Sequence, residues 1–65
     1  MLSTAELKTL TSVVIDNFVF YWMGKHDGEY YIVINERMTK VGTDLENARR
    51  MYLAGLNRLM RKRFR

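Results

Sequence analysis

Residues 49–65 carry seven basic side chains and no acidic one, whereas residues 1–48 carry seven acidic against four basic. The chain is therefore about −3 over its first part, +7 over its second and +4 in all, and a field divided in this way draws an anion to one end of the molecule. Five of the cations fall in the last eight residues, as Arg58, Arg61, Lys62, Arg63 and Arg65. Arginine predominates, and its planar guanidinium suits the paired oxygens of a phosphate or of a carboxylate at a protein surface. No acid follows Glu46, although Glu placed four residues before Lys or Arg is the ordinary way to make a helix surface soluble. Two partners follow from this chemistry: the phosphates of DNA or RNA, and an acidic protein surface. An anionic membrane surface, which basic amphipathic helices also bind, is a third.

Other reactive side chains are sparse. His26-Asp27 is the one acid–base pair adjacent in sequence, but it lies at an expected hairpin tip, where no pocket would surround a substrate. Ser3, Thr4 and Ser12 have no His, Lys or Cys spaced to activate a nucleophile. Cysteine is absent and histidine occurs once, so neither a disulfide framework nor a structural zinc site is expected. Gly28 and Gly42 read as turn residues and not as a phosphate-cradling loop. The expectation is a protein that binds and performs no catalysis, with no metal or cofactor.

The elements that must position the cations begin with Ser3-x-x-Glu6, a capping box, with Leu7, Leu10 and Val14 following at helical spacing. This predicts an N-terminal helix from about Thr4, giving way to a strand near Asp16 or Asn17. Asp27-Gly28, between apolar residues 18–23 and 30–34, predicts a type I′ β-hairpin, because both central positions of that turn need positive φ. A two-residue turn sets Gly24 opposite Tyr31, Trp22 opposite Val33 and Phe20 opposite Asn35. On the other side it sets Lys25 opposite Tyr30, Met23 opposite Ile32 and Tyr21 opposite Ile34. Residues 37–41 predict a short further strand ending at Gly42. Thr43-x-x-Glu46 is a second capping box, opening a long helix. Projected at ~100° per residue, Leu45, Ala48, Tyr52, Leu56 and Leu59 form one stripe, broadened by Leu53 and Met60. Arg50, Arg58, Arg61 and Arg65 gather on the opposite side.

The expected architecture is α+β in the order α-β-β-(β)-α, one domain over 1–65, with a small antiparallel meander packed against an N-terminal and a longer C-terminal helix. Helices on one face of such a sheet leave the other face apolar, which a small monomer ordinarily avoids. Phe20, Trp22, Tyr31 and Val33 are accordingly expected at a protein interface, in a homodimer or as a subunit of a complex. Arg50, Arg58, Arg61, Lys62 and Arg65 are expected to meet nucleic acid or an acidic partner. No apolar run approaches the ~20 residues of a membrane span, and residues 1–6 lack a basic leader, so a soluble, cytoplasmic protein is expected.

The element order over the whole chain is similar to that of the double-stranded-RNA-binding domain, with Asp44-Leu45-Glu46 standing where that family has a Lys pair. From Tyr30-Tyr31-Ile32-Val33 through Val41-Gly42-Thr43 to Glu46-Asn47-Ala48 and Tyr52, the chain also resembles the three-stranded-sheet-plus-helix DNA modules of ethylene-response factors and phage integrase arms. Small size, the absence of Cys and Pro, and the basic tail resemble the accessory proteins of phages and mobile elements, many of which act as stoichiometric inhibitors. The Arg-rich C-terminal helix makes nucleic-acid binding the leading expectation, with protein–protein inhibition, adaptor action or a small structural subunit through the aromatic hairpin face as alternatives.

Overall fold

A computed structural model describes residues 2–15 and 17–63, with side chains as far as Arg61. Four strands, β1 (Lys8–Ile15), β2 (Val19–His26), β3 (Glu29–Ile34) and β4 (Arg37–Gly42), form an antiparallel meander in sequence order, and helix α1 (Leu45–Arg63) follows. The fold is α+β, as expected.

The N-terminal helix is not present. The Ser3 N–H donates to a Glu6 carboxylate oxygen at 3.2 Å and the Glu6 N–H to the Ser3 carbonyl at 3.1 Å, but the coil closes as a single 3-10 turn, Thr4–Glu6. Downstream, Thr9, Thr11, Val13, Val14 and Ile15 are β-branched, stiff at χ1 and better packed on a pleated surface than in a helix. They form β1, paired with β2 from Lys8↔Lys25 to Ile15↔Val19 with a bulge around Leu10. The residues expected to switch from helix to strand are instead a turn: Asn17 takes φ 62°, and the Phe18 N–H donates to the Ile15 carbonyl. Asp16 lies outside the described residues. The likeness in element order to the double-stranded-RNA-binding domain ends with this change.

The central hairpin forms in the expected register. Asp27 and Gly28 adopt φ 51° and 76°, His26 pairs Glu29, and Trp22↔Val33, Gly24↔Tyr31 and Met23↔Ile32 follow. Its open end is fastened by Asn35, whose side-chain oxygen accepts from the Phe20 N–H at 3.0 Å while its own N–H donates to the Phe20 carbonyl at 2.8 Å. The further strand is β4. At the start of α1 the cap is Asp44 and not Thr43: Asp44 Oδ1 accepts the Glu46 N–H at 3.1 Å, satisfying one of the free donors of the first turn.

Alternation along the strands builds two apolar clusters. On the inner face, Tyr21, Met23, Tyr30, Ile32 and Val41 pack with Ala48 and Tyr52 of α1. The Tyr21 and Tyr52 rings stack at 4.6 Å and 10°, and each hydroxyl donates to the other residue's carbonyl, at 2.7 Å from Tyr21 and 3.4 Å from Tyr52. Gly55 makes this possible, since a methyl there would overlap the Tyr21 hydroxyl. On the outer face, Leu7 covers Trp22 and Val33, with Leu2, Tyr31 and Met38 at the margin. Gly24 leaves room for both, because a Cβ there would come within 3.0 Å of Trp22 and of Leu7. The N-terminal segment thus does on the outer face what a helix was expected to do on the inner one.

Candidate nucleic-acid interface

The basic stripe follows from the same periodicity that buries the helix. Ala48 and Tyr52 are buried and Leu56 and Leu59 half-buried, so Arg50, Arg58 and Arg61 point away from the sheet and are exposed. Arg50 and Arg61 are eleven residues apart, about 16 Å along the axis, which is the rise of roughly five base pairs. Ion pairs among the described residues are His26–Asp27, at 3.6 Å, and Lys40–Glu29; of the α1 cations with described side chains, Arg49, Arg50, Arg58 and Arg61, none takes part in one. A permanently charged guanidinium without an acidic neighbour keeps its full field for an incoming anion. The Lys62 side chain and Arg65 lie outside the described residues.

Direction of travel decides what lies near this stripe. Leu45 and Arg49 lie beside Lys25 and Tyr30, next to the Asp27-Gly28 turn, whereas Tyr52 and Gly55 lie against Tyr21. The helix therefore runs back toward the β1–β2 turn, and Arg58 and Arg61 approach that end. Arg37 stands there too, exposed at the start of β4 and paired with Ile34, itself opposite Tyr21. Asp27, Glu29, Asp44 and Glu46 sit toward the other end. Lys8, Lys25, Lys40 and Arg49 share that end with the acids, and Glu36 stands beside Arg37, so the excess of positive charge lies with Arg58 and Arg61 on the far part of α1.

The four residues expected at a protein interface are not equivalent. Val33 and Trp22 are buried under the N-terminal segment and Tyr31 is half-buried, while Phe20 is 47% exposed. Val14, directly opposite Phe20 in the ladder, is 58% exposed and was not anticipated. Recognition of β1 as a strand would have found it, since Val14 alternates with the inward Val13 and Ile15. Phe20 leans on Trp22, centroids 6.4 Å apart and tilted by 35°.

Elsewhere the chemistry is spare. His26 sits beside the exposed Asp27 at the hairpin tip. Among the described residues no group of three or more His, Asp or Glu is placed to hold a metal ion, and no helix is long and apolar enough to cross a membrane. Burial, reinforced by the neighbouring Tyr52 phenol, raises the Tyr21 pKa above its ordinary 10.0; burial raises that of Tyr52 against a hydrogen bond with Thr11 that lowers it. Both groups serve the core. No protein-family profile, curated protein or solved structure matches the chain.

Proposed function

We propose that this protein binds nucleic acid through the outer stripe of α1, without catalysis, in the manner of a small phage or mobile-element accessory protein. The observation that carries the reading is that Arg50, Arg58 and Arg61 share one exposed stripe with no ion-pair partner among the described residues. Lys62 and Arg65 extend the stripe in sequence. These side chains contact phosphates, so affinity is largely independent of base sequence and is weakened by salt. Arg58→Glu with Arg61→Glu removes two phosphate contacts and introduces repulsion. Fluorescence anisotropy with labelled duplex DNA, single-stranded DNA and RNA is expected to show loss of binding in this variant with circular dichroism unchanged; retention of native affinity would refute the proposal.

A second reading rests on the outer face. Val14 and Phe20 form an exposed apolar cross-strand pair, suited to contact with a larger protein as an inhibitor, adaptor or structural subunit, with the Arg stripe against acidic side chains. In that case Phe20→Ala weakens the complex more than the Arg changes do, because an apolar anchor is insensitive to salt.

A further inference from the structure

Helix α1 packs over β2, β3 and β4, which leaves the inner side of β1 open. Between β1 and α1 runs a groove of about 540 Å³, within the range of sites that hold one small molecule. Buried Met23, Tyr30 and Tyr52 form its base. Its rims are apolar side chains that the core does not cover: Leu10, on the strand side, is 42% exposed, and Leu45 and Leu53, on the helix side, are 43% and 53% exposed. The bulge in β1 accounts for Leu10, which stands between Thr9↔Gly24 and Thr11↔Met23 and so outside the alternation of the strand.

Two cations complete the lining, Lys25 from the sheet and Arg49 from the helix, and no acid among the described residues lines the groove. The Lys25 ammonium lies 5.5 Å from the centre of the Tyr30 ring, and neither cation has an ion-pair partner among the described residues. Lys8, directly opposite Lys25 in the ladder, adds positive charge beside them. The nearby acids are engaged elsewhere: Glu29 is bonded to Lys40, Asp27 stands beside His26, and Asp44 caps the helix. Glu46, projected at ~100° per residue, falls beyond Leu53 on the helix circumference and outside the arc that faces the groove. The charge is also confined to one end. Lys25 is nearer the hairpin tip than Thr11, and Arg49 is one turn nearer than Leu53. Beyond the two cations the groove is uncharged, and Thr11 is hydrogen-bonded to Tyr52.

We infer that this groove binds one amphipathic anion, a medium-chain fatty acid, with its carboxylate between Lys25 and Arg49 and its chain over Met23 toward Leu10 and Leu53. A carboxylate supplies the paired oxygens that a guanidinium fork and an ammonium bind, and an alkyl chain covers the leucines that the fold leaves exposed. The helix wall from Leu45 to Leu53 is some 12 Å long, at ~1.5 Å per residue, which is the reach of such a chain. Arg49 projects ~100° or more away from Arg50, Arg58 and Arg61 on the helix, so the site is separate from the phosphate stripe and does not depend on nucleic-acid binding.

Isothermal titration of the full chain with decanoate tests the inference. One site per chain with a Kd of about 1 mM or tighter is expected, whereas acetate, which lacks the chain, and decyltrimethylammonium, which has the opposite charge, should give no binding. Amide NMR shifts on adding decanoate should centre on Leu10, Lys25, Arg49 and Leu53. Lys25→Gln with Arg49→Gln, both at exposed positions, is expected to weaken decanoate at least about tenfold with unchanged circular dichroism. Absence of decanoate binding would overturn the inference, as would equal binding of decyltrimethylammonium or indifference to the paired glutamines. Binding to vesicles of anionic phospholipid without binding of free decanoate would also overturn it and assign the cations to a membrane surface.

Discussion

Gly55 shows how one residue links the helix to the sheet. In an isolated helix, replacing glycine by alanine gains about 1 kcal/mol. Here the added methyl would displace the Tyr21 hydroxyl from the Tyr52 carbonyl and disturb the ring stack, and overpacking of this kind costs about 1–3 kcal/mol. Gly55→Ala is therefore expected to lower the thermal midpoint, and Tyr21→Phe in the same chain to recover part of the loss; a midpoint raised by Gly55→Ala alone would show that the hydroxyl does not lie there. The same two tyrosines set an alkaline limit. Their folded pKa values lie above the unfolded value of 10.0, so above that pH the unfolded chain releases protons that the folded chain retains. Stability is complete below pH 10 and falls as pH rises beyond it. Denaturant midpoints should decline over that range, less steeply in Tyr21→Phe than in the native protein.

At the scale of elements, the N-terminal segment does the least expected work. Leu7 is buried against the single tryptophan, so Leu7→Ala is expected to cost about 2–5 kcal/mol and to move Trp22 fluorescence to longer wavelength; unchanged emission would mean that the outer face is covered differently. The central hairpin could be read from its residues because Asp27-Gly28 determines both the turn and every pair from His26↔Glu29 to Tyr21↔Ile34. The basic stripe of α1 was equally legible, since helical period alone separates Arg50, Arg58 and Arg61 from Ala48 and Tyr52. The N-terminus was not. Leu7, Leu10 and Val14 satisfy a helical spacing that the local capping interaction supports, and only pairing with β2, a non-local event, makes Thr9 to Ile15 a strand. From that error came the others: the outer face was expected to be open where Leu7 closes it, and Val14 was missed beside Phe20.

Across the whole molecule, the division of charge turns a meander and a helix into an oriented object. Toward the hairpin tip Asp27, Glu29, Asp44 and Glu46 are offset by Lys8, Lys25, Lys40 and Arg49, whereas toward the opposite end Arg37, Arg58 and Arg61 outnumber Glu36, over a body 38 Å in its longest dimension. Such a body meets a polyanion basic end first, faster at low ionic strength than at high. Phosphate binding should also be visible as displaced counterions. Anisotropy of labelled duplex DNA, single-stranded DNA and RNA between about 50 and 200 mM salt measures this directly. If Arg50, Arg58, Arg61, Lys62 and Arg65 each occupy a phosphate, the slope of log affinity on log salt for duplex DNA is about −4.5, and affinity falls about five hundredfold over that interval. Absence of binding at the lower salt, or an affinity that does not change across the interval, would contradict a phosphate-binding stripe and assign the arginines to a protein surface.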